Sequence, residues 1–247
     1  MLRSFESHYE LWINEKEERP SVISSTIIKD FLKSLHSIRV KKPLVLYAPS
    51  GIAGANIREM IDMTKEEAEA FSVAGINLVK TILAYEPIVI GVFDRYLLGG
   101  GLEIALACDL TIVTENCKVG FPEVTLGITP GWLGVELCAI KKPTLIQELL
   151  FLGKIIEAKQ SYAYSLFNNI CHNWQAVQDE LAKMTDQLDR CSYAAVASAK
   201  RQYWRSLNTE DFSANAKFFS SLFEEQDQIE GMKAYLEKRK SSFLQHK

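Results

Sequence analysis

The order of strand and helix signals predicts an α/β protein that ends in a helical portion. Three observations carry this. Strand and helix patterns alternate up to about residue 143. A glycine run, Gly99-Gly100-Gly101, joins an apolar stretch rich in Ile, Val and Leu to good helix material. From about Ala158 the pattern is almost entirely helical, with few strand signals.

Taken in order, Tyr9 to Ile13 reads as a short strand. Thr26 to Ile38 is an amphipathic helix with Ile28, Phe31, Leu32 and Leu35 on one side. Pro43 to Tyr47 is a buried strand, and Ala48 to Asn56 a turn-rich connection leading to Ile57–Met60. Thr64 with Glu67 three residues on forms a capping box, opening a helix that runs to about Leu83. Strands follow at Ile88–Val92 and Leu110–Val113. Thr144 with Gln147 marks a helix that should stop near Gly153. Asp211–Phe223 and the stretch from Gln226 towards Lys240 read as two further amphipathic helices.

A chain of 247 residues, 47% hydrophobic, is long enough for one large domain or for a domain with an appended subdomain. A net charge of −3 argues against a nucleic-acid partner. The five cysteines are widely spaced, with no CxxC and no Cys/His metal spacing, as expected of a reduced, intracellular protein without a metal site. No apolar run is long enough to cross a bilayer, and the N-terminus lacks the apolar block of a signal peptide; the expected location is cytoplasmic.

Three motifs could carry chemistry. The glycine run lets the main chain be approached closely, and the helix after it leaves its first amides unpaired, suited to a developing negative charge. Glu103 stands in the first turn of that helix, where it could be an acid/base or only a partner of the helix dipole. Upstream, Gly51-Ile-Ala-Gly-Ala-Asn56 could supply another amide or be a plain surface turn. Downstream, Glu123 follows Pro122, which constrains its position; a glutamate there could also be merely solvated. The histidines (8, 36, 172, 246) lie near none of these motifs, and a Ser/His/Asp triad has no support. Asp109 reads as structural, and Lys238-Arg239-Lys240 as a solvated face.

In this order and spacing the three pieces resemble the crotonase superfamily, the enoyl-CoA hydratase/isomerase family. Residues 86–131 (EPIVIGVFDRYLLGGGLEIALACDLTIVTENCKVGFPEVTLGITPG) carry most of the likeness, and DQIEGMKAYLEKRKSSF is similar to the usual C-terminus of that family. The resemblance implies a crotonase-like ββα spiral with two roughly perpendicular sheets over residues 1–180, and a C-terminal helical trimerisation module over 181–247. It implies an oxyanion hole from the backbone N–H groups of Ala55 and Gly100, and catalytic glutamates at Glu103 and Glu123. Ala53, Arg58, Gly99 and Lys240 are the positions it assigns to substrate or CoA binding.

The implied activity is an enoyl-CoA hydratase adding water across the 2,3 double bond of an acyl-CoA thioester. No metal or redox cofactor is implied, since coenzyme A is part of the substrate. Homotrimers or hexamers are implied, with Leu181, Met184, Leu188, Phe212, Phe218, Phe219, Leu222 and Phe223 shared between the core and a partner face. The family pattern is departed from at Asn56, where aspartate is usual. The Ala48–Ile52 loop is shorter than usual, and the Phe93–Leu98 segment longer by one residue. These departures keep alternatives open: an isomerase, dehydratase or decarboxylase acting on a CoA or carrier-protein thioester, or a catalytically idle scaffold.

Overall fold

The computed structural model describes residues 1–13, 19–141, 143–160, 166–204 and 213–243. Its architecture is a repeated step of two strands and a helix. The steps are β2 (Tyr9–Trp12), β3 (Ser21–Ile23) and α1 (Ser25–Ser37); then β4 (Leu44–Ala48), β5 (Ile52–Ala55), the short α2 (Ile57–Met60) and α3 (Lys65–Ala84). Next come β6 (Val89–Phe93), β7 (Tyr96–Leu98) and α4 (Gly100–Ala107); then β8 (Leu110–Thr114), β9 (Lys118–Gly120) and a 3₁₀ helix at Pro122–Leu126.

The first strand of each step joins one sheet and the second joins another. Strands β2, β4, β6 and β8 are parallel neighbours in a six-stranded sheet, with β1 (Leu2–Ser4) antiparallel at one edge and β11 (Asn169–Cys171) parallel at the other. Strands β3, β5, β7 and β9 are parallel neighbours in a five-stranded sheet, closed by the antiparallel β10 (Ile155–Glu157). This strand-by-strand alternation between sheets is a ββα spiral.

Strands β4 and β6 are buried along their whole length, which is why both read as unbroken apolar runs. The period of two divides their side chains between two cores. Leu44, Leu46, Val89 and Phe93 face the main core, while Val45, Tyr47, Ile90 and Val92 meet Val177 and Leu181 of α7 (Trp174–Asp189) on the other face. Residue 181 lies inside that helix.

The capping box at Thr64 is formed. The Glu67 N–H donates to the Thr64 hydroxyl at 3.2 Å, and the Thr64 N–H donates to the Glu67 carboxylate at 2.9 Å. A cap of this kind stabilises a helix by about 1 kcal/mol. Asn56 caps α2 by accepting the Arg58 N–H at 3.2 Å, a role that either amide or carboxylate can perform. In the Phe93–Leu98 segment the chain turns at Asp94-Arg95. Asp94 accepts from the Arg95 N–H at 2.7 Å and from the Thr114 hydroxyl, and Arg95 adopts a φ of 61°.

Several elements differ from the sequence reading. The Ala48–Asn56 connection contains β5, a four-residue strand that belongs to the second sheet. The helix expected from Thr144 is α6 (Pro143–Leu152) and stops beside Gly153 as expected, but it is preceded by α5 (Gly134–Lys141), which the sequence reading does not assign. The C-terminal half contributes β11 to the six-stranded sheet before α7 begins. The helix expected to run from Gln226 towards Lys240 is α10 and ends at Leu236. The Asp211–Phe223 helix is α9 (Ser213–Ser221) followed by a 3₁₀ turn; Asp211 and Phe212 lie outside the described residues. Of the apolar C-terminal residues singled out above, Leu181, Phe219 and Phe223 are buried within this chain, whereas Phe218 is exposed.

Asp109, at the start of β8, ties α8 (Tyr193–Trp204) to the sheet. It accepts the Val89 N–H at 2.7 Å, the Lys200 ammonium at 2.6 Å and the Trp204 indole N–H at 2.7 Å. Lys200 also donates to the carbonyls of Tyr85 and Pro87, so each of the three ammonium donors has an acceptor.

Candidate active site

The chain folds sharply between β7 and α4. Gly99 takes φ 51° and ψ −126°, a combination that suits glycine alone. A Cβ at this position would lie 2.6 Å from Glu123 Oε1, so the absence of a side chain also gives the Glu123 carboxyl its place. Gly100 is the first residue of α4, and its N–H has no acceptor within the helix. The Gly99 carbonyl instead takes the N–H groups of Leu102 and Glu103, at 2.8 and 3.1 Å.

Glu103 points away from solvent and is 1% exposed. Its Oε1 accepts two backbone N–H bonds, from Trp132 at 2.8 Å and Gly134 at 2.6 Å. The residue between these donors, Leu133, adopts φ 87° and is buried. A left-handed residue between two amides makes them converge, the geometry of a small anion-binding nest. The side-chain hydroxyl of Ser72 on α3 donates to the Gly131 carbonyl at 2.6 Å and fixes this loop from the other side.

Glu123 sits in the 3₁₀ helix, directly after Pro122, and is 8% exposed. Its Oε2 is buried and has no hydrogen-bond partner among the described residues. Burial pushes the Glu103 carboxyl up to about 8, and the two amides oppose that rise. Burial lifts Glu123 well above the usual carboxylate range, and the nearby Glu103 charge adds to the effect. The two carboxyls therefore share one electrostatic environment, in which holding a proton is favoured over holding two charges.

Both carboxyls line a single cavity of about 240 Å³. Ala53, Ala55, Gly99 and Gly100 line the same cavity, so the structure brings together six of the eight residues picked out in the sequence. Arg58 and Lys240 are exposed and are not among its lining residues. They stand on or just after α2 and α10, which pack against each other. His8, His36 and His172 are likewise absent from the lining, and His246 lies outside the described residues.

The apolar remainder of the wall includes Phe71 of the Thr64–Leu83 helix and Ile128 and Trp132 of the Ile128–Leu133 loop, the two stretches on which the acyl group is expected to depend, and also Met60, Leu126, Ile155, Phe219 and Tyr235, which the sequence does not assign to it. Among the described residues no helix is long and apolar enough to cross a membrane.

The sequence is 31% identical over 243 residues to the crotonyl-CoA hydratase of Syntrophomonas wolfei, covering 95% of this chain and 93% of that one. It is 30% identical over 195 residues to the short-chain-enoyl-CoA hydratase of Clostridium acetobutylicum, covering 77% and 74%. The fold is similar to that of an enoyl-CoA hydratase from Mycobacterium avium subsp. paratuberculosis, with a TM-score of 0.83, 20% identity, and coverage of 99% and 98%. A methylmalonyl-CoA decarboxylase in complex with 2-nitronate-propionyl-CoA is equally similar in fold, with a TM-score of 0.85, 20% identity, and coverage of 100% and 98%. The enoyl-CoA hydratase/isomerase profile matches residues 15–246. With a ββα spiral, a glycine turn beside two buried glutamates, and a match over nearly its whole length, the chain belongs to the enoyl-CoA hydratase/isomerase family of the crotonase superfamily.

Proposed function

We propose that the protein hydrates 2-enoyl-CoA thioesters, adding water across the 2,3 double bond. The observation that carries this reading is the convergence on one cavity of two buried carboxyls and the first N–H of α4, which has no acceptor within its helix. Similarity at about 30% identity to relatives named as hydratases supports it.

In this reading the thioester oxygen is received by the N–H groups of Ala55 and Gly100. When water adds to C3, negative charge accumulates on that oxygen as an enolate. Amides already aimed at it stabilise the charge without reorganising, by about 3 kcal/mol for one donor in comparable sites. Glu103 is the base. Two N–H bonds to Oε1 favour its ionised form and leave Oε2 outside both bonds, available for water. Glu123 is the acid, because an unpartnered buried oxygen favours the protonated form.

Glu103 takes a proton from water as hydroxide bonds to C3, and Glu123 delivers its proton to C2. The pair ends with its one proton moved from Glu123 to Glu103, and proton exchange with solvent resets it. We place the CoA nucleotide on the surface near Arg58 and Lys240, whose charges suit phosphate. No metal or redox cofactor enters these steps. The reading includes a cytoplasmic location, consistent with five free cysteines, and assembly as a homotrimer or hexamer.

The test is hydration of crotonyl-CoA. The wild-type protein is expected to turn it over, and Glu103→Gln and Glu123→Gln each to lower kcat by at least ~100-fold. An inactive wild type, or a Glu123→Gln variant at the wild-type rate, contradicts the proposal.

A further inference from the structure

Trp132 lines the cavity yet is almost wholly buried, and its indole packs against two helices and the Phe71 ring. A Cβ on Gly75 of α3 would lie 2.1 Å from the indole Cδ1 and Nε1, and a Cβ on Gly100 would lie 2.3 Å from Cζ3. The five-membered ring therefore rests on α3 and the six-membered ring on the start of α4. Both helices have given up a side chain to admit it. The Phe71 ring packs at 5.7 Å with a tilt of 50°. The backbone is as constrained as the ring, through the Ser72 bond to Gly131 and the Trp132 N–H bond to Glu103.

The cavity has a direction. Tyr235 and Ile155 line it and are 59% and 45% exposed, which marks its mouth. Trp132, Phe71 and Met60 are buried lining residues, with Trp132 and Phe71 in ring contact and Trp132 against Gly100, so they form a wall inside that mouth. A substrate carbonyl at Gly100 is thereby placed against the indole, since the same glycine abuts the ring.

We propose that the Trp132 indole is the end wall of the acyl pocket and restricts the protein to short acyl groups. This rests on reading the cavity as a thioester site. A longer chain must displace the indole, and the ring cannot move towards Gly75 or Gly100 because it already touches both. Close packing of this kind resists deformation, and even one misfitting methylene in an apolar pocket shifts selectivity by roughly 10- to 200-fold.

The experiment compares crotonyl-CoA with 2-octenoyl-CoA as substrates, and butyryl-CoA with octanoyl-CoA as saturated ligands in calorimetry. Wild type, Trp132→Phe and Trp132→Ala are measured, with thermal melting to verify folding. Wild type is expected to favour the shorter enoyl thioester in kcat/KM by at least ~100-fold. Trp132→Ala should bring that ratio below about 10-fold by raising the value for 2-octenoyl-CoA, with Trp132→Phe between them, and binding should follow the same order.

If Trp132→Ala does not fold, the Trp132→Phe shift alone decides. Equal handling of both chain lengths by wild type overturns the wall, as does a folded variant whose preference is unchanged. Discrimination between the saturated ligands without any hydration would overturn the hydratase reading and leave the wall standing.

Discussion

Glu103 and Glu123 are two carboxyls in a space that tolerates one charge poorly and two hardly at all. Their raised pKa values fix the sign of two pH effects. Below the Glu103 ionisation both groups are protonated and no base is available. Accordingly kcat/KM should climb as pH rises through the Glu103 ionisation, near 8, and Glu103→Gln should abolish that limb.

Stability runs the other way. A carboxyl whose folded pKa exceeds its unfolded value contributes fully below the unfolded value, and that contribution is lost as pH rises through the folded one. The window for Glu103 runs from 4.5 to about 8. Urea denaturation should show stability declining across it, with a shallower decline in Glu103→Gln. A wild-type profile flat over that window would contradict the burial argument.

At this scale the chemistry was legible in the sequence because it resides in local motifs: a glycine run, a first-turn glutamate and a Pro-Glu pair. The wall was legible only as far as its segments, the Thr64–Leu83 helix and the Ile128–Leu133 loop, because Trp132 meets Gly75 and Gly100 only through folding, and a glycine inside a helical pattern does not announce what fills its place.

Among the elements, the 3₁₀ helix bearing Glu123 has no long hydrogen-bonded ladder of its own and depends on its neighbours. Helix α10 lies against it so closely that a Cβ on Gly231 would come within 2.4 Å of the Leu126 carbonyl carbon. Backbone cannot yield there as a flexible side-chain tip would. Gly231→Ala is therefore expected to destabilise the fold by about 1–3 kcal/mol and to lower kcat by displacing Glu123, while KM changes little. Denaturant titration and steady-state kinetics measure the two effects.

Helix α8 depends on a different device, the buried Lys200–Asp109 pair. Lys200→Met should cost about 3–5 kcal/mol, because it leaves Asp109 buried without its cation. A loss below about 1 kcal/mol in denaturant unfolding would show that the pair does not hold α8.

The longer elements were readable from periodicity and caps, as at Thr64. Strand β5 was not, because Ile52-Ala-Gly-Ala55 has few β-forming residues and is a strand only by pairing with β3 and β7. Strands β10 and β11 are three residues each, too short for alternation to register.

For the molecule as a whole, the spiral arises from a topological repeat that leaves no repeat in the sequence. Each turn must bury different neighbours, so the residues diverge while the path of the chain is retained. Class and alternation were visible, whereas the sharing of strands between two sheets came into view through family resemblance. The exposed Phe151, Leu152 and Phe218 leave apolar surface outside the core of a single chain. Light scattering should accordingly find a mass three or six times the 27.9 kDa of the chain, and a monomer at micromolar concentration would contradict the assembly proposed here.

The central claim is that two amides and two carboxyls act on a single enolate. Hydration of crotonyl-CoA in deuterated water, followed by nuclear magnetic resonance, tests it most directly. The account predicts 3-hydroxybutyryl-CoA carrying one deuteron at C2, formed by the wild type and essentially lost in both Glu103→Gln and Glu123→Gln. A wild type that forms no hydrated product, or a rate indifferent to either substitution, would contradict it.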